Sequence, residues 1–312
     1  MTEFALDKLL DELDDRVKTE LNSKPEVVDR DDQLDVQSLP ILARRWHRAS
    51  DVVAVFADLK NSSQLGTNIH AASTASVYEA AVGGVVHIFD QFDANYIDIQ
   101  GDAAFAVFWG EKRIERAMCA GITIKTFSED MTEHLERKWP DQPETGFRVG
   151  VASSAILVKR IGTPRNPAHQ KPVWAGRAVN YASKAGSAGE RHQLVVTGSV
   201  WDRIENNDYL TVSCGCAEPN DSIWQNVTID RLREGDDAEG AGRLLTSKWC
   251  VKCGPDFCRA VLDGETQRED VKAGLRAVVL ATQRDNARYA VHARARDLRA
   301  RRRGLALVRG RR

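Results

Sequence analysis

The chain has 312 residues, 42% of them hydrophobic and 29% charged, the balance of an ordinary globular protein with room for one large domain and additions. Its formal net charge of -1 conceals an acid-rich start (DELDD, DRDDQ) and an arginine-crowded end (ARARDLRARRRGLALVRGRR), and no apolar run nears the roughly 20 residues a membrane helix needs. MTEFALDKLLDELDD carries charges where a secretion leader needs an apolar core, so a cytoplasmic location is expected, with the six cysteines serving as thiols or metal ligands rather than disulfides.

Phe4, Leu6, Leu9, Leu10, Leu13 and Val17 recur at three- and four-residue spacing, which predicts an amphipathic helix docked on the main domain or on a second subunit. Residues 23–39 are polar and acidic and read as a linker, so residues 1–45 form an N-terminal helix and linker. VVAVFADL is a buried-strand run ending in an acid, followed by an Ala/Ser/Val-rich helix over 63–89. A hairpin of 94–100 with 103–108 comes next, then a helix over 111–138. FRVGVASSAILVKRIG reads as two strands or a strand with a turn, PVWAGRAVNYASKAGSAG as a loop feeding a helix, and HQLVVTGSVWDRI as a strand and a short helix. The order strand, helix, strand, strand, helix, strand predicts an α+β domain over 46–210, with helices on one face of a sheet.

Beyond it, residues 211–266 form a cysteine-containing extension and residues 267–312 a helix running into the arginine-rich tail. Cys214 and Cys216 form a CGC, and WCVKCGPDFC supplies Cys250, Cys253 and Cys258. Two cysteine pairs fit a tetrahedral thiolate zinc site at Cys214, Cys216, Cys250 and Cys253; thiols packed in strands are the alternative.

Two acids stand out, Asp58 closing VVAVFAD and Asp102 in the QGD turn. If their strands are neighbours, both carboxylates emerge at one edge of the sheet, where like charges repel unless a divalent cation sits between them. Few, hard oxygen ligands suit magnesium or manganese held jointly with substrate phosphates. Taken singly, Asp58 is as well read as a helix cap and Asp102 as a turn residue.

FADLKNSSQLG, IQGDAAFAVF, FRVGVASSAILVKRIG and GRAVNYASKAG resemble, in order and spacing, the blocks of the class III nucleotide cyclase catalytic domain, over about residues 52–208. The resemblance implies a ferredoxin-like α+β fold acting as a head-to-tail homodimer with composite sites. It implies two Mn2+ or Mg2+ ions per site, held by Asp58, Asp102 and the Leu59 carbonyl, with Phe56 opening the loop that approaches the triphosphate. Asn180 matches the asparagine that orients the ribose from the opposite protomer. Lys184 stands where the family has its transition-state arginine; lysine keeps the charge without the planar fork, and Arg177 is the alternative cation.

The family's base-selecting positions are Asp98 and Val173, with Trp174 beside the latter. An acid at Asp98 disfavours adenine and suits a base that presents a ring N–H or an exocyclic amine. An apolar neighbour is a poor match to guanine, because unpaired polar atoms cost about 1–3 kcal/mol each. The chain therefore resembles the pyrimidine cyclases of the bacterial Pycsar anti-phage system. That implies UTP as substrate, with CTP close behind, and cyclic UMP plus pyrophosphate as products, the cyclic nucleotide being read by a separate effector. The plain alternative for Asp98 is a solvated strand acid. The rival from another class is a catalytically silent nucleotide-binding dimerisation domain whose basic tail meets nucleic acid; two retained metal aspartates weigh against it, and neither a membrane nor nucleic acid is the expected partner.

Overall fold

In a computed structural model of the chain, the described residues are 5–66, 69–216, 219–277, 291–292 and 294–299. Phe4 and the arginine-rich stretch from residue 300 onward lie outside them. The backbone separates into two compact units, a smaller one of residues 1–50 with 156–175 and a larger one of residues 51–155 with 176–312.

In the smaller unit, α1 (Leu6–Asn22) has its apolar stripe in place, yet no residue of it is buried, and Leu10 and Val17 are more than half exposed. The expected linker carries structure instead. β1 (Glu26–Asp29) pairs in parallel with the first residues of β2 (Arg45–Lys60), Asp31 accepts hydrogen bonds from the Ser50 backbone and hydroxyl, and Leu34, Val36 and Leu39 are buried. Those three apolar residues, hidden among acids, are what the composition obscured. Residues 171–176, expected as a loop, form β6 (Lys171–Gly176), which pairs with the far end of β5 (Gly146–Ile161). β5 is one continuous strand rather than two; the ASSA stretch at its middle interrupts the hydrophobicity, not the backbone.

The larger unit follows the predicted order. β2 leads through a short 3-10 turn to α2 (Ala71–Tyr78), a π-turn at Glu79–Gly83 and α3 (Gly84–Gln91), so the helix expected from residue 63 starts later. The hairpin is β3 (Tyr96–Gln100) and β4 (Ala103–Phe108), followed by α4 (Arg113–Lys138), β5, then α5 (Ala178–Gly186) and β7 (Gln193–Val196). After α6 (Gly198–Ile204) and α7 (Asp208–Thr211) come β8 (Trp224–Thr228), α8 (Asp230–Gly240), β9 (Ala241–Leu245) and α9 (Gly254–Asp263). The strand order is β3-β4-β2-β5-β7-β9-β8, whose first four members are the split βαβ pattern of a ferredoxin-like sheet. The helix expected from residue 267 begins only at residue 273 among the described residues.

Alternation decides which face is covered. Val53, Val55, Ala57 and Leu59 of β2, Ala104 and Ala106 of β4, and Phe147, Val149 and Val151 of β5 join α3 and α4 in one core. Full burial of a side chain such as Leu59 stabilises by about 1.5–3 kcal/mol, enough that slipping β2 by one residue would be costly. The intervening residues, Phe56 and Asp58 among them, face the other way.

Candidate active site

Asp58 lies opposite Ala103 in the β2–β4 ladder, and Asp102 is the residue before Ala103. Facing Cα atoms in such a ladder are about 4.5–5.5 Å apart, so acids distant in sequence leave from adjoining backbone at one end of the sheet. Only Gly101 and Asp102 connect the Gln100–Ala103 pair, and Gly101 has φ 69°, the glycine-first turn that matches strand twist. A Cβ at Gly101 would meet no atom within 4 Å, so the positive φ alone is what asks for glycine there. Directly paired residues share a face, so the pairs Phe56–Phe105–Asp98 and Asp58–Ala103–Gln100 set Phe56, Asp58 and Asp98 on one surface. The rings of Phe56 and Phe105 stack with centroids 6.3 Å apart, and Tyr96 lies 6.1 Å from Phe105.

Each carboxylate is held by one oxygen. Arg148 on β5 donates from Nε to Asp58 Oδ2 at 2.7 Å and from a second guanidinium nitrogen at 2.5 Å, and the Ser62 hydroxyl donates to Asp102 Oδ2. The other oxygen of each carboxylate meets no hydrogen-bond or ion-pair partner among the described residues. Leu59 is anchored in the core at 2% exposure, so the main chain that carries its carbonyl is held next to Asp58. Two open carboxylate oxygens and a neighbouring carbonyl are a hard-oxygen set, suited to magnesium or manganese and lacking the nitrogen or sulfur that zinc favours.

Arg148 is a site residue the sequence reading missed. Its signal was a charge at the alternate position of FRVGV, whose Phe147, Val149 and Val151 are fully buried. A half-buried arginine on the opposite face of a core strand needs an acid, and Asp58 is that acid.

Asp98 is half-buried on β3, where its Oδ1 accepts the Ile99 backbone N–H at 3.1 Å. The phenol of Tyr96 is pushed up to about 12, first by burial and then by the Asp98 charge. On α5, Asn180 is exposed and its amide donates to the Gly176 carbonyl at 3.1 Å, while the Lys184 ammonium lies 5.7 Å from the centre of the Tyr181 ring. Arg177 is engaged elsewhere: it donates to the buried carboxylate of Asp236 at 2.9 Å, which also takes bonds from Tyr181 and Arg299. Among the described residues, neither Asn180 nor Lys184 makes a hydrogen bond or ion pair with Asp58 or Asp102. Val173 and Trp174 belong to the smaller unit, where Val173 is 43% exposed on β6 and Trp174 is half-buried.

A groove of about 800 Å3 in the larger unit runs beside the hairpin tip, lined by Leu65, Tyr78, Val86, Ile99 and Gly101 among others, and neither aspartate is in its lining. No described helix is long and apolar enough to cross a membrane.

Comparison with known proteins agrees with this geometry. Residues 45–218 match the adenylate and guanylate cyclase catalytic domain. A protein of Micromonospora echinofusca named uridylate cyclase is 58% identical over 87% of this chain and 88% of its own length. One of the same name from Propioniciclava tarda is 46% identical over 86% and 87%. Among solved structures, a class III adenylyl cyclase-like ATP-binding protein from Pseudomonas aeruginosa superposes with a TM-score of 0.52 at 16% identity, covering 65% of this chain and 46% of that one. The match over more than half of the chain, together with relatives aligned along nearly all of it, establishes that the chain belongs to the adenylate and guanylate cyclase catalytic domain family.

Proposed function

We propose that this nucleotide cyclase is a uridylate cyclase, converting UTP to 3',5'-cyclic UMP and pyrophosphate. The observation that carries the chemistry is the meeting of Asp58 and Asp102 at one sheet end, each with an oxygen to spare. The names of the two most fully aligned relatives, and an acid at Asp98 able to accept the N3–H of uracil, support the base.

In the reaction the 3'-hydroxyl attacks the α-phosphorus of the same nucleotide, the bond to the β-phosphate oxygen breaks, pyrophosphate leaves and the hydroxyl proton is released. Asp58, Asp102 and the Leu59 carbonyl would hold Mg2+ or Mn2+, two ions per site, which supply hydroxyl activation and neutralise phosphate charge. Arg148 aims Asp58 while leaving its second oxygen open. Ser62 does the same for Asp102. The turn that follows Phe56 and β2 approaches the triphosphate. Asn180 orients the ribose, and Lys184 offsets charge that develops on the α-phosphate. Arg177, committed to Asp236, serves to hold α5 against α8 rather than to contact substrate. Val173 and Trp174 on β6 give the apolar wall for a pyrimidine.

Within one chain Asn180 and Lys184 make no contact with the carboxylates, which supports a head-to-tail homodimer in which one subunit supplies the acids and the other α5. The exposed stripe of α1 is a second surface for such a pairing. The resemblance of the chain to the pyrimidine cyclases of anti-phage defence supports such a role at the cytoplasmic location expected from the sequence, with cyclic UMP read by a separate effector.

The test is incubation with each of the four NTPs and manganese, with products identified by mass spectrometry. Cyclic UMP from UTP, lost in Asp58→Asn and Asp102→Asn, is expected. Cyclic CMP as the main product would overturn the assignment of the base, and no turnover of any NTP would overturn the enzyme.

A further inference from the structure

The four cysteines at 214, 216, 250 and 253 lie far from the carboxylates in sequence and take no part in the proposed chemistry, yet the fold gathers them. Their Sγ atoms all lie within 4.8 Å of one another, and Cys216 Sγ stands 3.7 Å from Cys253 Sγ, too far for a disulfide. Four thiolates placed tetrahedrally at about 2.3 Å from one zinc ion are separated by about 3.8 Å; the Cys216–Cys253 pair has that spacing, and the other pairs lie within 4.8 Å.

We propose that Cys214, Cys216, Cys250 and Cys253 bind one structural zinc ion that staples the C-terminal extension to the catalytic domain. The two pairs arrive on different supports. Cys214 and Cys216 sit in the loop after α7, pinned by the Val212–Ser222 bridge and by the Arg268 guanidinium on the carbonyls of Val212 and Ser213. Cys250 and Cys253 form a C-x2-C knuckle at the start of α9, with Cys253 as the residue that precedes the helix. The other two cysteines stand apart: Cys119 on α4 donates to the Cys258 carbonyl at 3.8 Å, so the six divide into a quartet and a pair.

Four sulfur ligands leave no open position for substrate, which marks the ion as structural. What it would hold is specific. Trp249, just before the knuckle, takes the Thr126 hydroxyl on its backbone N–H at 3.1 Å and donates from Nε1 to the Thr123 hydroxyl at 3.0 Å, both on α4. α9 buries Val261 in the same core that α4 forms behind the catalytic sheet. A zinc ion at the quartet therefore fixes the segment that seals the back of α4.

The test uses the full-length enzyme purified without added metal and dialysed to clear magnesium and manganese. Elemental analysis should give about one zinc per chain, released in step with mercurial titration of the thiols. The Cys250→Ser/Cys253→Ser double variant should retain less than about a tenth of that zinc. Cobalt added to apo protein should give the absorption of a tetrahedral tetrathiolate, and zinc removal should lower Tm without changing the magnesium or manganese needed for turnover. Metal-free protein with four free thiols, two disulfides by intact mass, or iron in place of zinc would each overturn the proposal. Because the readouts are metal content and spectrum, a failure of the nucleotide assignment would leave this result standing, and the reverse holds equally.

Discussion

Replacing Gly150 by alanine probes the link between sheet and helix on which the shared site depends. Gly150 is on β5, and a Cβ built there would lie 1.9 Å from the Ala182 carbonyl oxygen and 2.3 Å from the Gly186 amide nitrogen, both backbone atoms of α5. Real Cβ atoms stay at least 3.0 Å from such neighbours, so α5 must retreat by about 1 Å or β5 must bend by as much. Overpacking of this kind costs about 1–3 kcal/mol, which a domain of this size survives, with a loss of several degrees in Tm. Activity should suffer more, because α5 carries Asn180 and Lys184, and a misplacement of about 1 Å at reacting groups costs on the order of a hundredfold in rate. The assay is pyrophosphate release from UTP beside thermal unfolding monitored by circular dichroism. A fall in kcat near a hundredfold with a folded protein is the expected outcome. An unchanged kcat in a variant that has lost stability would refute the role given to α5, and no change in either would refute the contact itself.

Mixing Asp58→Ala with Asn180→Ala, each inactive alone, should restore about a quarter of wild-type turnover, since half of freely exchanged dimers are mixed and each has one intact site. No recovery after subunit exchange, confirmed by native mass spectrometry, would count against composite sites. Lys184→Met should lower kcat by about a hundredfold with Tm unchanged, whereas Arg177→Met should cost about 1 kcal/mol or less of stability for so exposed an arginine, lowering Tm slightly, and spare kcat. The reverse pattern would make Arg177 the transition-state cation. His192 Nδ1 shares a hydrogen bond with the Ser128 hydroxyl at 2.9 Å, and burial, then Arg191, lower its pKa below the usual imidazole value, with Glu129 and Glu136 opposing and Lys125 adding to the fall. The unfolded chain therefore binds a proton that the folded one resists, so stability is full above about pH 6.5 and is lost as pH falls toward the lowered value. His192→Asn, which tolerates the left-handed backbone at that position (φ 60°), should flatten that part of the Tm–pH curve; an identical slope in both proteins would assign the acid sensitivity elsewhere.

The succession of strands and helices and the two candidate acids were legible because both rest on local signals. A strand of period two ending in aspartate, and a glycine-aspartate turn between two short apolar runs, are visible in any window of a dozen residues. Arg148 was not, since its meaning depends on Asp58, a residue 90 positions away that only the β2–β5 neighbourhood supplies. β1 and β6 were lost for a related reason. Both are short and largely exposed, EVVD and KPVWAG, so what makes them strands is pairing with the ends of β2 and β5, with no long hydrophobic alternation to announce it. The cysteine quartet sits between these cases: its spacing raised the question, but a gap of more than thirty residues between the pairs could be bridged only by seeing α7, β8 and β9 fold the chain back.

The choice between Arg177 and Lys184 turns on what each charge already does. Asp236 is buried, its side chain 1% exposed, and an unpaired carboxylate at that depth would cost several kcal/mol. It is satisfied by Arg177, Tyr181 and Arg299, so withdrawing Arg177 toward a phosphate would remove one of its two cationic partners. The N-terminal position of Arg177 also sets it against the positive end of the α5 dipole, so Asp236 has to offset that charge as well. Lys184 stands in the last turn of the same helix, where the dipole favours a cation, with its ammonium 5.7 Å from the centre of the Tyr181 ring and in no ion pair among the described residues. An ammonium so placed can move onto a substrate phosphate at little cost. If Lys184 takes the role that the resemblance to class III cyclases gives to an arginine, the site gives up the bidentate fork, and the fixed carboxylates of Asp58 and Asp102 have to supply more of the orientation. That is consistent with their being held by Arg148 and Ser62 before any ligand arrives.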